Sequence, residues 1–181
     1  SPLTAVMAIL SAAALHELGH LAAMWHYGVA VKRFRLTALG AELDAPPLAR
    51  LSYGRELVVT LAGVTVNFLC AALLALLGLK LWREWCFVFA GAHLVLAVFN
   101  LLPIAPLDGA RALYLVTALL LGPVAGERIA AAASIGCSLT LCALGVRLSF
   151  ALHSGLFAFA AFGLFWGTLR QLGLARRGKS V

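Results

Sequence analysis

Apolar residues run through this chain in long blocks, and polar residues gather in the short gaps between them. A helix rises about 1.5 Å per residue, so roughly 20 apolar residues cross the hydrocarbon core of a bilayer. Five blocks are candidates for such a span, at approximately 3–25, 57–79, 85–121, 129–146 and 150–169. The third is unlike the rest, because Pro103, Pro106, Asp108 and Gly109 interrupt it. Each proline removes a backbone donor and disfavours helix in the residue before it. Backbone that leaves the helix at membrane depth is tolerated only where protein or a wet cavity satisfies it, so this block predicts a polar cavity.

Between the first two blocks the period changes. Lys32, Phe34 and Leu36 alternate with Val31, Arg33 and Arg35, Leu39-Gly40 offers a turn, and Pro46-Pro47 closes the segment. A period of two is that of a strand, and the segment predicts a short β-hairpin at about 29–45. The expected fold is an all-α polytopic membrane protein of about five transmembrane helices, one broken at the PxxPLDG segment, with a short cytoplasmic β-hairpin. Residues 1–181 read as a single transmembrane domain, without a repeat, a low-complexity stretch or a soluble regulatory domain.

Composition supports the bilayer. The chain is 63% hydrophobic and 12% charged, with mean hydropathy +1.00, whereas a soluble domain has about 25% charged residues. The net charge of +7 does not point to nucleic acid, because the basic residues form no single face. They sit in the gaps, as the positive-inside rule places them. With the first span running inward, the cytoplasmic gaps receive Lys32, Arg33, Arg35, Arg50, Arg55, Arg128, Arg170, Arg176, Arg177 and Lys179. The outer side receives only Lys80, Arg83 and Arg147, which puts the C-terminus in the cytoplasm. The first block is too long for a signal peptide and lacks a basic leading region. Cys70, Cys86, Cys137 and Cys142 lie in or beside apolar blocks with no CxxC pair, and read as reduced, buried thiols.

The chemistry concentrates in His16-Glu17-Leu18-Gly19-His20. Two histidines four apart lie on one helix face, so both imidazoles reach one ion. Glu17 is turned about 100° from His16, too far to ligate with the pair but able to touch a water on the metal. Two imidazoles and one carboxylate leave a fourth position for that water, whose pKa a zinc ion lowers toward about 7. Ordinary core histidines are the bland alternative. Three ionisable groups within five residues of an apolar span argue against it, since each costs roughly 2.5–3.5 kcal/mol at a span centre.

A third ligand comes from a short set of acids: Glu42, Asp44, Glu56, Glu84, Asp108 and Glu127. Only Asp108 lies at membrane depth, in the interrupted block, where it also suits a helix N-cap. The expected cofactor is one zinc ion per chain on His16, His20 and Asp108, with Glu17 as general base. His93 lies in the third block, either beside the site or between helices. A metal transporter is the rival reading, but it calls for several sites in series and has no need of a base.

HELGH in an apolar helix, followed by Asn100-Leu101-Leu102-Pro103-Ile104-Ala105-Pro106-Leu107-Asp108-Gly109, resembles the site-2 protease family of intramembrane zinc metalloproteases. The likeness is nearest to the branch of stage IV sporulation protein FB. Between the two motifs, Ala62-Gly63-Val64-Thr65-Val66-Asn67 resembles the branch's AGPxxN-like motif with valine for proline. Ala110 replaces the last glycine of LDGG, and Ala38-Leu39-Gly40-Ala41 replaces Pro-Phe-Gly-Gly. These departures touch backbone shape and not ligands. A transmembrane helix before the HExxH span and a CBS-type regulatory domain, familiar in that family, are not found in 1–181.

The resemblance implies cleavage of a membrane-associated or transmembrane protein near the cytoplasmic face, in a bacterial cell membrane, as in processing a sporulation sigma-factor precursor. It implies the lipid bilayer and a regulatory membrane protein as partners, and no nucleic acid. It also places Asn67 and Asn100 near the site, where an amide can hydrogen-bond substrate or a developing oxyanion or simply join helices. The hairpin would bind an extended substrate strand or rest its cations on anionic lipid.

Overall fold

The structure, a computed structural model, describes residues 1–29, 33–37, 40–44, 51–153 and 155–177. It divides into two compact units, Ser1–Leu101 and Leu102–Val181.

In the first unit, α1 (Pro2–His26), α2 (Tyr53–Leu81) and α3 (Glu84–Asn100) pack against one another. Helix α1 starts from Ser1, whose hydroxyl accepts from the Thr4 N–H, with Pro2 where a missing donor costs nothing. The helices meet through small side chains: Ala8, Ala12, Ala71, Ala90 and Ala97 are all buried. Met24, Val29 and Val59 form a larger apolar cluster at one end. Polar groups are inside with the alanines, among them His16, His20, Glu56, Thr60, Asn67 and His93. The large apolar side chains point out, Leu10 at 59%, Leu69 at 58% and Val95 at 69% exposure. A soluble protein is arranged the other way; here the apolar exterior faces lipid and small residues let the helices approach. In the second unit, α4 (Asp108–Leu121) packs on α5 (Pro123–Ala151), and α5 on α6 (Leu156–Arg177).

The expected fold class is corrected. Among the described residues there are six helices, not five spans, and three of them, α1, α2 and α5, are long and apolar enough to cross a membrane. These are properties of a membrane protein. The interrupted third block is the reason for the difference. Residues 101–107 separate α3, of 17 residues, from α4, of 14. At about 1.5 Å per residue they reach about 26 and 21 Å, each short of the roughly 30 Å hydrocarbon core.

A cytoplasmic hairpin is likewise not retained. What is present is a ladder of two five-residue strands, β1 (Arg33–Thr37) and β2 (Gly40–Asp44), antiparallel with Arg33 opposite Asp44. No observation gives it a side of a membrane. The expected turn at Leu39, the alternation from Val31 and Lys32, and the Pro46-Pro47 stop lie on or across positions outside the described residues.

Candidate metal centre

Helix α1 carries His16, Glu17 and His20. The i, i+4 spacing sets the two imidazoles side by side, with ring centroids 4.8 Å apart and planes crossed at 82°. Their Nε2 atoms are 3.1 Å apart. Two nitrogens bound to one zinc at about 2.0–2.1 Å with tetrahedral angles lie about 3.3 Å apart, so this is the spacing of two ligands of one ion. Both rings are buried and Glu17 is half-buried beside them.

Helix α2 holds the pair in place. His20 Nδ1–H donates to the Val59 carbonyl oxygen at 2.8 Å, which leaves the lone pair on Nε2, the atom that faces His16. Backbone carbonyls commonly orient ligating histidines in this way. One turn on, Gly63 provides the room. A Cβ there would stand 2.5 Å from His20 Nε2, 2.8 Å from the His16 carbonyl oxygen and 2.9 Å from His16 Cε1. From the other side, a Cβ on Gly19 would meet the Ala62 carbonyl oxygen at 2.9 Å and Gly63 Cα at 3.0 Å. The two glycines let α1 and α2 cross backbone to backbone, and the imidazoles occupy the space that a side chain on residue 63 would fill.

Asn67, one further turn along α2, is wholly buried. Its Nδ2 lies 3.3 Å from His16 Nδ1, and its Oδ1 lies 2.9 Å from Nδ1 of His93 on α3. Contact with an oxyanion would require this amide to release one of the two imidazoles. Asn100 ends α3, and its Nδ2–H donates to the Leu96 carbonyl oxygen at 3.1 Å.

In the second unit, Asp108 is half-buried and opens α4, where the helix dipole favours a carboxylate. The turn before it is tied down on both sides. Ala105 N–H donates to Ser134 Oγ on α5 at 3.3 Å, and the Ala105 carbonyl accepts from Thr168 Oγ1 on α6 at 2.9 Å. Both hydroxyl residues are buried. Protein side chains thus satisfy the non-helical backbone, which the prolines made necessary.

The first unit therefore brings His16, Glu17, His20 and Asn67 together. It adds the Val59 carbonyl, Gly63 and His93, and the second unit adds Ser134 and Thr168 around Ala105. His93 carried a sequence signal, an imidazole in an apolar block that needs a partner. Gly63 stood within a motif, but nothing marked it as the floor of the imidazole pair. Nothing in the sequence marked the Val59 carbonyl. All four cysteines are free thiols, with Cys86 buried.

No family model matches the chain, and no curated protein matches it. Among solved structures it is similar to the site-2 protease from Methanocaldococcus jannaschii, with a TM-score of 0.67 and 21% sequence identity. The match covers 92% of this chain and 76% of that one. The chain is a helical membrane protein with the fold of that protease.

Proposed function

We propose that this chain is an intramembrane zinc metalloendopeptidase of the site-2 protease family. The observation that carries the reading is the pair of buried Nε2 atoms 3.1 Å apart over a glycine. Asp108, the acid that the sequence puts at membrane depth in the interrupted block, would add a carboxylate oxygen, and two imidazoles with one carboxylate are a donor set that suits one zinc ion. The PLDG likeness supports Asp108 as the third ligand. When bound, zinc supplies Lewis acidity toward a peptide carbonyl and toward a water.

The chain's own groups do the rest. Glu17, turned away from the ligand pair, takes the proton of the attacking water and returns it to the leaving amine. The Val59 carbonyl holds His20 in the tautomer that presents Nε2. Packing of α1, α2 and α3 around the imidazoles limits competing water. The proposed substrate is a membrane-associated or transmembrane protein cut near the cytoplasmic face, with a regulatory membrane protein as a further partner. The ten-to-three division of basic residues among the gaps supports a cytoplasmic C-terminus. A sporulation role, on a sigma-factor precursor in a bacterial membrane, is the narrower reading that the motif likeness supports.

The test is Glu17→Gln in purified protein with a membrane-anchored reporter. It should keep its zinc and lose cleavage by about 10²–10⁴-fold, the usual worth of a general base. Cleavage at the unaltered rate removes Glu17 from its role. Unaltered protein that takes up no zinc removes the whole reading.

A further inference from the structure

Four contacts form a line through the first unit. His93 Nδ1 lies 2.9 Å from Asn67 Oδ1, and Asn67 Nδ2 lies 3.3 Å from His16 Nδ1. His16 Nε2 is 3.1 Å from His20 Nε2, and His20 Nδ1 is 2.8 Å from the Val59 oxygen. A neutral imidazole has one N–H and one lone pair. The direction is fixed at one end, since a carbonyl only accepts: His20 has its proton on Nδ1. Working back, His16 donates from Nε2 and accepts at Nδ1 from the amide nitrogen, and His93 donates from Nδ1 to the amide oxygen. All four contacts close, but the His16 proton then sits on the nitrogen that faces the ligand position.

Ligation through Nε2 requires that proton on Nδ1, where it must be donated. The amide nitrogen has no lone pair for it; the amide oxygen does. Asn67 must then turn its oxygen to His16 and its nitrogen to His93, whose Nδ1 must be bare to accept. The two ends of an amide are nearly the same size, so a half-turn about its last bond exchanges them without repacking. Asn67 and His93 are 0% and 1% exposed, so bulk water does not reach either partner.

We infer that His93 is a positioning residue for the metal centre: through Asn67 it selects the tautomer of His16, and zinc loading reverses the hydrogen-bond direction along His93, Asn67 and His16. This rests on the zinc reading proposed above.

Two measurements test it on the full chain in lipid nanodiscs, with zinc ion as the probe. In protein labelled with nitrogen-15 at the imidazoles, His93 should carry its proton on Nδ1 without zinc and on Nε2 with zinc. A His93 that keeps its Nδ1 proton in the loaded protein overturns the inference, and no variant is needed to see it. By chelator competition, His93→Leu should weaken zinc binding about 10–100-fold, the usual cost of losing a group that orients a ligand. In an Asn67→Asp background either carboxylate oxygen can accept from His16, so the same replacement should cost no more than about threefold. Equal losses in both backgrounds, or no loss in the first, overturn it. Unaltered protein that binds no zinc removes the zinc reading and this inference together, whereas normal zinc binding with an unmoved His93 proton removes only the inference.

Discussion

Gly63 lies directly beneath His20: a methyl group on residue 63 would fall 2.5 Å from the imidazole Nε2 and force the ring aside. The placing of the imidazole pair is therefore set by a missing side chain on α2 as much as by the helix spacing of α1.

Gly63→Ala should leave the helices formed but lower zinc affinity on the order of 100-fold, the upper end of what disturbed surroundings of a ligand cost. Overpacking should also cost about 1–3 kcal/mol of stability. Gly136→Ala is the control, since a Cβ there meets nothing within 4 Å. It should bind zinc normally and gain up to about 1 kcal/mol from better helix propensity. Metal analysis and thermal melts in detergent separate the two. Equal zinc content in both variants would refute the role given to Gly63.

Asp108→Ala should leave two imidazoles and no carboxylate. Zinc should then be lost on dialysis that the unaltered protein survives, with helix content by circular dichroism unchanged. Chelator treatment of the unaltered protein should abolish cleavage, and added zinc should restore it. Full zinc retention by Asp108→Ala would place the third ligand elsewhere.

Thr168→Val should destabilise the second unit by about 1–3 kcal/mol, because it strips the hydroxyl donor from the half-buried Ala105 carbonyl. Ser134→Ala should cost less, about 0.5–1.5 kcal/mol, since its contact with the Ala105 N–H is longer, 3.3 Å against 2.9 Å. Both should weaken zinc binding if the Ala105 turn presents Asp108. Denaturant titration and chelator competition on the same samples read the two effects. Lost stability with unchanged zinc affinity would make the ties purely structural.

The parts legible in the sequence are those set by local periodicity. His16 and His20 fall on one face because 3.6 residues make a turn, and Pro103 and Pro106 announce the break before Asp108 wherever the segment sits. Five spans were nevertheless too few elements. Hydropathy sees one apolar block from 85 to 121, whereas length decides that its two pieces are separate short helices. Asn67 illustrates the other limit. It is 51 positions from His16 and 26 from His93, so its place between two imidazoles depends on how α1, α2 and α3 cross. The Gly19 and Gly63 crossing sets that geometry, and no windowed pattern contains both residues.

The inside-out arrangement of the first unit changes which substitutions it tolerates. Its cohesion comes from backbones drawn close over alanine and glycine, with lipid as content against the outer leucines as protein would be. Enlarging Ala97, which is 0% exposed, should therefore wedge helices apart, while trimming Leu10 or Val95 should pass almost unnoticed. Bulk is the hazard inside this unit, and loss of bulk outside it is not.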